Sequence, residues 1–252
     1  MPMPSLAIAM LGLAVAFVPT FAARSAELKI LSGGSMMASL NELAPQFEHA
    51  SGHKLTIHFD STPNLIKLAV SGAPFDLGVV PADVMQDPAA RARFVPGPMS
   101  DIARAGYGVA VRSGAPKPDI STPEALKAAF LAARSIATLP ESAAGAYVMK
   151  IFGRLGIAEA VQAKIKVQGS PSEIPKAVAR GDAELGVFLS NVLAVPGVEL
   201  AGPFPASLQQ ELVFIAAVAA DSKNADAATA FIAYLKTTAA AAVLKAKGLT
   251  PG

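Results

Sequence analysis

The sequence predicts an α/β protein of two lobes, with mixed sheets flanked by helices and a ligand cleft between the lobes. Two observations carry this prediction. Apolar, strand-like runs alternate with helix-patterned stretches for most of the chain, which is the signature of βαβ units with both sheet faces covered. At two places, residues 95–121 and 195–218, the chain turns rich in Pro and Gly, as expected where it crosses from one lobe to the other and back. In open α/β sheets ligands bind beyond the carboxyl ends of strands, against helix N-termini. Two lobes doing this face to face enclose a cleft.

The elements follow in order. Residues 28–32 (LKILS) read as a buried strand that ends in a small polar loop, Ser32-Gly33-Gly34-Ser35. A helix then runs to about Ala50, because Leu40, Leu43, Ala44 and Phe47 recur at helical spacing. A second strand (54–59) leads through Asp60-Ser61-Thr62-Pro63 into a helix, and residues 75–80 form a third strand. The pattern resumes after GYGVAVR at 106–112, with a helix near 122–133. Strand 135–139, helix 143–155, strand 164–168, helix 172–180 and strand 184–188 follow. The second crossing leads into another apolar strand, and helices at 225–237 and 239–248 are expected to pack back on the first lobe. The division this gives is 27–108 plus 209–252 for the first lobe and 109–208 for the second.

Residues 6–18 form a continuous apolar stretch with no charged side chain before Arg24. Such a length is too short for a bilayer of about 30 Å but suits the core of a signal peptide. The small residues in TFAA place cleavage after Ala22, with Ala26 as the second position, so residues 1–22 are read as a leader and the product as periplasmic. The chain has no Cys, which excludes disulfides, thiol nucleophiles, thiolate metal sites and a lipidated N-terminal Cys. A net charge of +2, without basic clusters that interleave aromatics, points away from nucleic acid.

Ser35 sits where a loop delivers a hydroxyl and free backbone amides to a helix start. Such termini attract anions, because their first N–H groups lack internal partners and the helix dipole is positive there. Judged alone, Ser35 reads first as an N-cap, and Ser61 or Thr62 before Pro63 as a cap with Pro at the first helical position. Their joint placement at loop-to-helix junctions is what favours binding. His49, His53 and His58 are spaced four and five residues apart, with no nearby carboxylate pair to complete a metal site. No Gly-x-Ser-x-Gly elbow and no phosphate loop ending in Lys-Ser/Thr occurs. Lys67 and Arg134 are the cations nearest the loops, and both read as solvated.

The segment LKILSGGSMMASLNELAPQFEHASGHKLTIHFDSTPNLIKLAVSGAPFDLGVV resembles the opening of the periplasmic molybdate-binding proteins of ABC transporters, and PESAAGAYVMKIFGRLGI and AVARGDAELGV extend the resemblance over nearly the whole mature chain. The resemblance implies a type II periplasmic binding fold that captures a small anion as a monomer, without cofactor or metal, and delivers it to a permease in the inner membrane. It carries the ligand contacts to Ser35, the amide of Met36, Ser61 with Thr62 beside it, the amide of Ala144, and a backbone contact within 169–174. The family has a Tyr where this chain has Leu189, so Ser190 or Asn191 is expected to substitute. Gly33 and Gly34 also stand where Ala is common. These departures leave molybdate, another oxyanion and a small carboxylate open as ligands. An enzyme or sensor subunit on the same fold is the alternative class.

Overall fold

A computed structural model describes residues 25–97 and 99–252; the leader expected at residues 1–22 lies outside them. The chain runs β1 (Glu27–Gly33), a 3-10 turn (Gly34–Met36), α1 (Met37–Ser51), β2 (Lys54–Asp60), α2 (Thr62–Val70), β3 (Leu77–Pro81), α3 (Pro88–Arg91) and β4 (Ser100–Arg112). It continues α4 (Pro123–Ala132), β5 (Ile136–Thr138), α5 (Ala143–Arg154), α6 (Ala158–Gln162), β6 (Ile165–Val167), α7 (Glu173–Arg180), β7 (Leu185–Leu189) and α8 (Ser190–Leu193). It closes with β8 (Val198–Pro203), β9 (Glu211–Val218), α9 (Ala225–Leu235), α10 (Thr238–Ala246) and β10 (Thr250–Pro251).

The strand order is β2-β1-β3-β9-β4-β7-β5-β6, with β8 and β10 both paired to β4. Parallel pairing joins β1 to β2 and β3, and β5 to β6 and β7, whereas β9 and β4 are antiparallel to their neighbours. The sheet is therefore mixed, and helices flank both of its halves, as the sequence predicts.

Two strands exceed that prediction. β4 begins at Ser100 rather than near Gly106, because β9 pairs with Ser100–Gly106. β8 lies inside the second Pro/Gly passage and pairs with Gly108–Arg112. Its terminal Pro203 lacks an N–H, which an edge strand tolerates.

In the first lobe Leu28 and Ile30 of β1 pack with Leu40, Leu43 and Phe47 of α1 in one core. The Phe47 ring lies 4.9 Å from that of Phe231 and 5.5 Å from that of Tyr234, so α9 returns to the first lobe as expected. Buried Asp76 accepts from the Lys29 amide, the Ser222 hydroxyl and the Asn224 side chain, tying β1 to the connection that precedes α9. In the second lobe Phe130 meets Phe152 edge to face at 5.1 Å. Among the described residues no single helix is long and apolar enough to cross a membrane.

The lobes share β4. Up to Gly106 it pairs with β9, and from Tyr107 onward with β7 and β8. At the changeover the Gln209 side chain stands in for a strand: its Oε1 accepts from the Tyr107 amide at 2.8 Å, and its Nε2 donates to the Tyr107 carbonyl at 2.9 Å. Burial, with Asp83 and Tyr147 adding to it, pushes the Tyr107 hydroxyl pKa far up, so that the ring stays neutral. The Tyr147 hydroxyl donates to the Leu208 carbonyl at 2.8 Å, fastening the return crossing. Removing the amide with Gln209→Ala strands a partly buried N–H, and urea unfolding should show a loss of about 2 kcal/mol.

Candidate functional site

The cleft is built at loop-to-helix junctions. From the first lobe come the turn after β1, with Gly34 and Ser35, and the β2–α2 junction, with Asp60, Ser61 and Thr62. From the second come Ser142 and Ala144 at the start of α5 and Pro171 before α7. Phe188, Leu212 and Phe214 supply an apolar wall. The cavity leaves about 20 Å³ for the centre of a water-sized sphere to occupy, slightly more than a single water requires. Asp60 is the one charged side chain among the described residues that line it.

The serines divide by their hydrogen bonds. Ser35 lies within the 3-10 turn, and no side chain caps either that turn or α1. Ser61 occupies the N-cap position of α2 but makes no capping bond, so neither it nor Ser35 acts as the cap that each could be judged alone. Ser142 does cap: its Oγ accepts from the Gly145 amide at 3.0 Å and donates to the Leu139 carbonyl at 2.9 Å. Its hydroxyl is thereby committed. Thr62 is intermediate, for its Oγ1 accepts from the Ala143 amide at 3.3 Å across the cleft while keeping its own proton to donate.

At the start of α5 the amides of Ala143 and Gly145 are thus taken, and that of Ala144 lies between them at the cavity wall. First-turn amides lack internal helical partners and sit at the positive end of the dipole. The structure therefore gathers Ser35, Ser61, Thr62 and Ala144 about one cavity, whereas Met36, expected to contribute its amide, is not among the lining residues and buries its side chain in the first-lobe core. Ser190 does not line the cavity. It starts α8, and a Cβ on Gly108 would meet its Oγ at 2.7 Å. At the position of the family's Tyr, Leu189 is fully buried.

Lys67 and Arg134 are exposed, Arg134 pairing with Glu184 at 3.0 Å, so neither supplies charge to the cavity. Among the described residues no group of three or more His, Asp or Glu is placed to hold a metal. Burial works to raise the Asp60 pKa. Hydrogen bonds from Asn64, the Ser61 amide and His58, with the charge of His58, outweigh it and hold the carboxyl below its ordinary value. Asp60 consequently stays ionised and spends its oxygens on its own loop.

Pro171 falls within the 169–174 stretch named from the sequence, but sequence reasoning did not single out the apolar wall or the cap at Ser142. The wall residues come from β7 and β9 and read in sequence as ordinary core. Gly145 had no signal of its own either, yet a Cβ there would fall 1.6 Å from the Leu139 carbonyl oxygen.

A cleft between two α/β lobes, lined by hydroxyls and amides, defines a type II periplasmic binding fold. Residues 28–250 match the family described as bacterial extracellular solute-binding protein, and the chain belongs to that family. A relative from a Pseudomonas species, named aconitate isomerase, is 33% identical over an alignment of 258 residues, taking in 99% of this chain and 97% of the relative. The molybdate-binding protein ModA of Azotobacter vinelandii is 27% identical over 233 residues, covering 90% and 91%. The solved periplasmic molybdate-binding protein of Azotobacter vinelandii superposes with a TM-score of 0.75 at 22% identity, over 88% of this chain and 98% of that one. The resemblance read from the sequence thus holds.

Because the α5 start leaves no space for a methyl group, Gly145→Ala should shift it off the Leu139 carbonyl. Overpacking of this kind should cost about 3 kcal/mol in urea unfolding.

Proposed function

We propose that the protein is an exported, periplasmic solute-binding component that captures a compact oxyanion of the molybdate kind and passes it to the permease of an ABC transporter. The observation that carries this reading is a cavity between the lobes with uncommitted Ser35 and Ser61 hydroxyls, the Thr62 proton and the Ala144 amide, and no cationic side chain on its lining. A tetrahedral oxyanion needs several acceptors met at once, and amides and hydroxyls at helix starts meet them without a buried cation.

We assign 27–108 with 209–252 to one lobe and 109–208 to the other, the chain bending at the Tyr107–Gln209 junction. Closure by such a hinge traps the ligand, and the protein acts as a monomer without cofactor or metal.

A second reading is favoured by the full-length relative named aconitate isomerase: an organic acid as ligand, or as substrate. Isomerising aconitate requires a base to move a proton, and Asp60 is the one titratable side chain on the cavity lining, already hydrogen-bonded on both oxygens. Any anion held here meets the Asp60 charge with no cation on the lining to offset it, and a tricarboxylate brings more charge to it than a dianion does.

Calorimetry with molybdate, tungstate, sulfate and cis- and trans-aconitate, joined to an isomerase assay, separates the two. Tight binding of one oxyanion is expected, with compaction in solution scattering and no turnover of aconitate. Ser35→Ala and Ser61→Ala should each weaken binding roughly ten- to a hundredfold with little change in melting, while Lys67→Ala and Arg134→Ala bind as the unaltered protein does. Turnover of aconitate, or binding of aconitate alone, would replace the transport reading with the second.

A further inference from the structure

The closed cleft is bridged by a buried side chain that the ligand reading does not use. Asn191 lies in α8 of the second lobe, with a relative exposure of 7%. Its Nδ2 donates to the carbonyl oxygen of Ser35, in the first-lobe loop, at 2.8 Å. That acceptor fixes the orientation of the amide, because a carbonyl can receive a hydrogen bond only from the nitrogen end. The other end, Oδ1, is buried and has no hydrogen-bond partner among the described residues. An apolar side chain of the same shape would avoid that unmet oxygen, so packing alone does not account for an amide here.

We infer that Asn191 is an interlobe latch, a positioning residue that holds the Ser35 loop in its ligand-binding arrangement and slows reopening of the cleft. Three features place it in that role. Its acceptor belongs to the residue whose hydroxyl lines the anion cavity, so latch and ligand act on the same turn. It packs against the C-terminal part of the first lobe, where a Cβ on Gly248 would lie 3.5 Å from the Asn191 Cα. It also works beside a second crossing bond, from the Ala143 amide to Thr62 Oγ1, so that in both a second-lobe donor meets a first-lobe acceptor. Opening the lobes breaks both. Only the Asn191 bond is made by a side chain that contacts the Ser35 loop without lining the anion cavity.

The inference rests on the proposed anion site, and its test keeps the two apart. Asn191→Leu removes the donor at similar volume, and Asn191→Ser keeps a polar group too short to reach; both are checked by melting and circular dichroism. With molybdate as probe, stopped-flow measurements should show a dissociation rate raised roughly tenfold and an association rate unchanged. Ser35→Ala, which keeps the carbonyl, should weaken binding without altering the scattering profile of the ligand-free protein. Dissociation at the unaltered rate in both Asn191 variants overturns the latch. If the unaltered protein binds no oxyanion, the proposed function fails first, and the latch is read from ligand-free scattering alone. A larger radius of gyration in the Asn191 variants then supports it, and an unchanged radius overturns it.

Discussion

One side-chain amide stands where the two lobes become one molecule. β4 serves both half-sheets, and at Tyr107 it must leave β9 before β7 and β8 take over. Backbone donors and acceptors that lose a strand partner inside a protein need another. Gln209 supplies it in both directions at once. Because Gln209 lies on the return crossing, the same two hydrogen bonds fix the outgoing and the incoming chain side by side. The junctions that line the cavity inherit their relative positions from this point.

A second principle governs the cavity itself. Charge is absent from its lining except for Asp60, whose oxygens are occupied by its own loop. The attraction for an anion that we propose then comes from fixed dipoles, which act only where geometry is held. Rigid placement is supplied by the Ser142 cap, by the glycine that lets α5 start against Leu139, and by β-strands ending at each loop. The apolar wall of Phe188, Leu212 and Phe214 keeps water from competing for those dipoles.

Much of the fold was legible because its signals are local. Leu40, Leu43 and Phe47 announce α1, and runs such as LKILS and KLTIHF announce strands whatever surrounds them. β8 and the first half of β4 escaped because Ser100–Ala105 and Val198–Pro203 are strands only by virtue of the partners they meet. The junctions that carry Ser35, Ser61 and Thr62 were legible from periodicity and Ala144 only through the family resemblance, and the structure brings all four to one cavity. Whether a serine caps or stays free was not legible. Ser142 and Ser35 precede helices alike in sequence, and only the three-dimensional path of the backbone assigns one to its own helix and leaves the other to the cleft. Ser190 was placed by analogy with a missing Tyr, and β7 turns it toward Gly108 instead of the cavity.

The glycine at position 34 has a mechanical meaning beyond its backbone freedom. A Cβ added there would reach within 3.2 Å of the Pro171 ring on the opposite lobe. The depth to which the jaws shut is therefore gauged by a missing methyl group. A larger side chain at that point would act as a shim between the Ser35 loop and Pro171, spacing the two walls of the cavity further apart. The size of guest that a scaffold of this kind admits can thus drift by one residue.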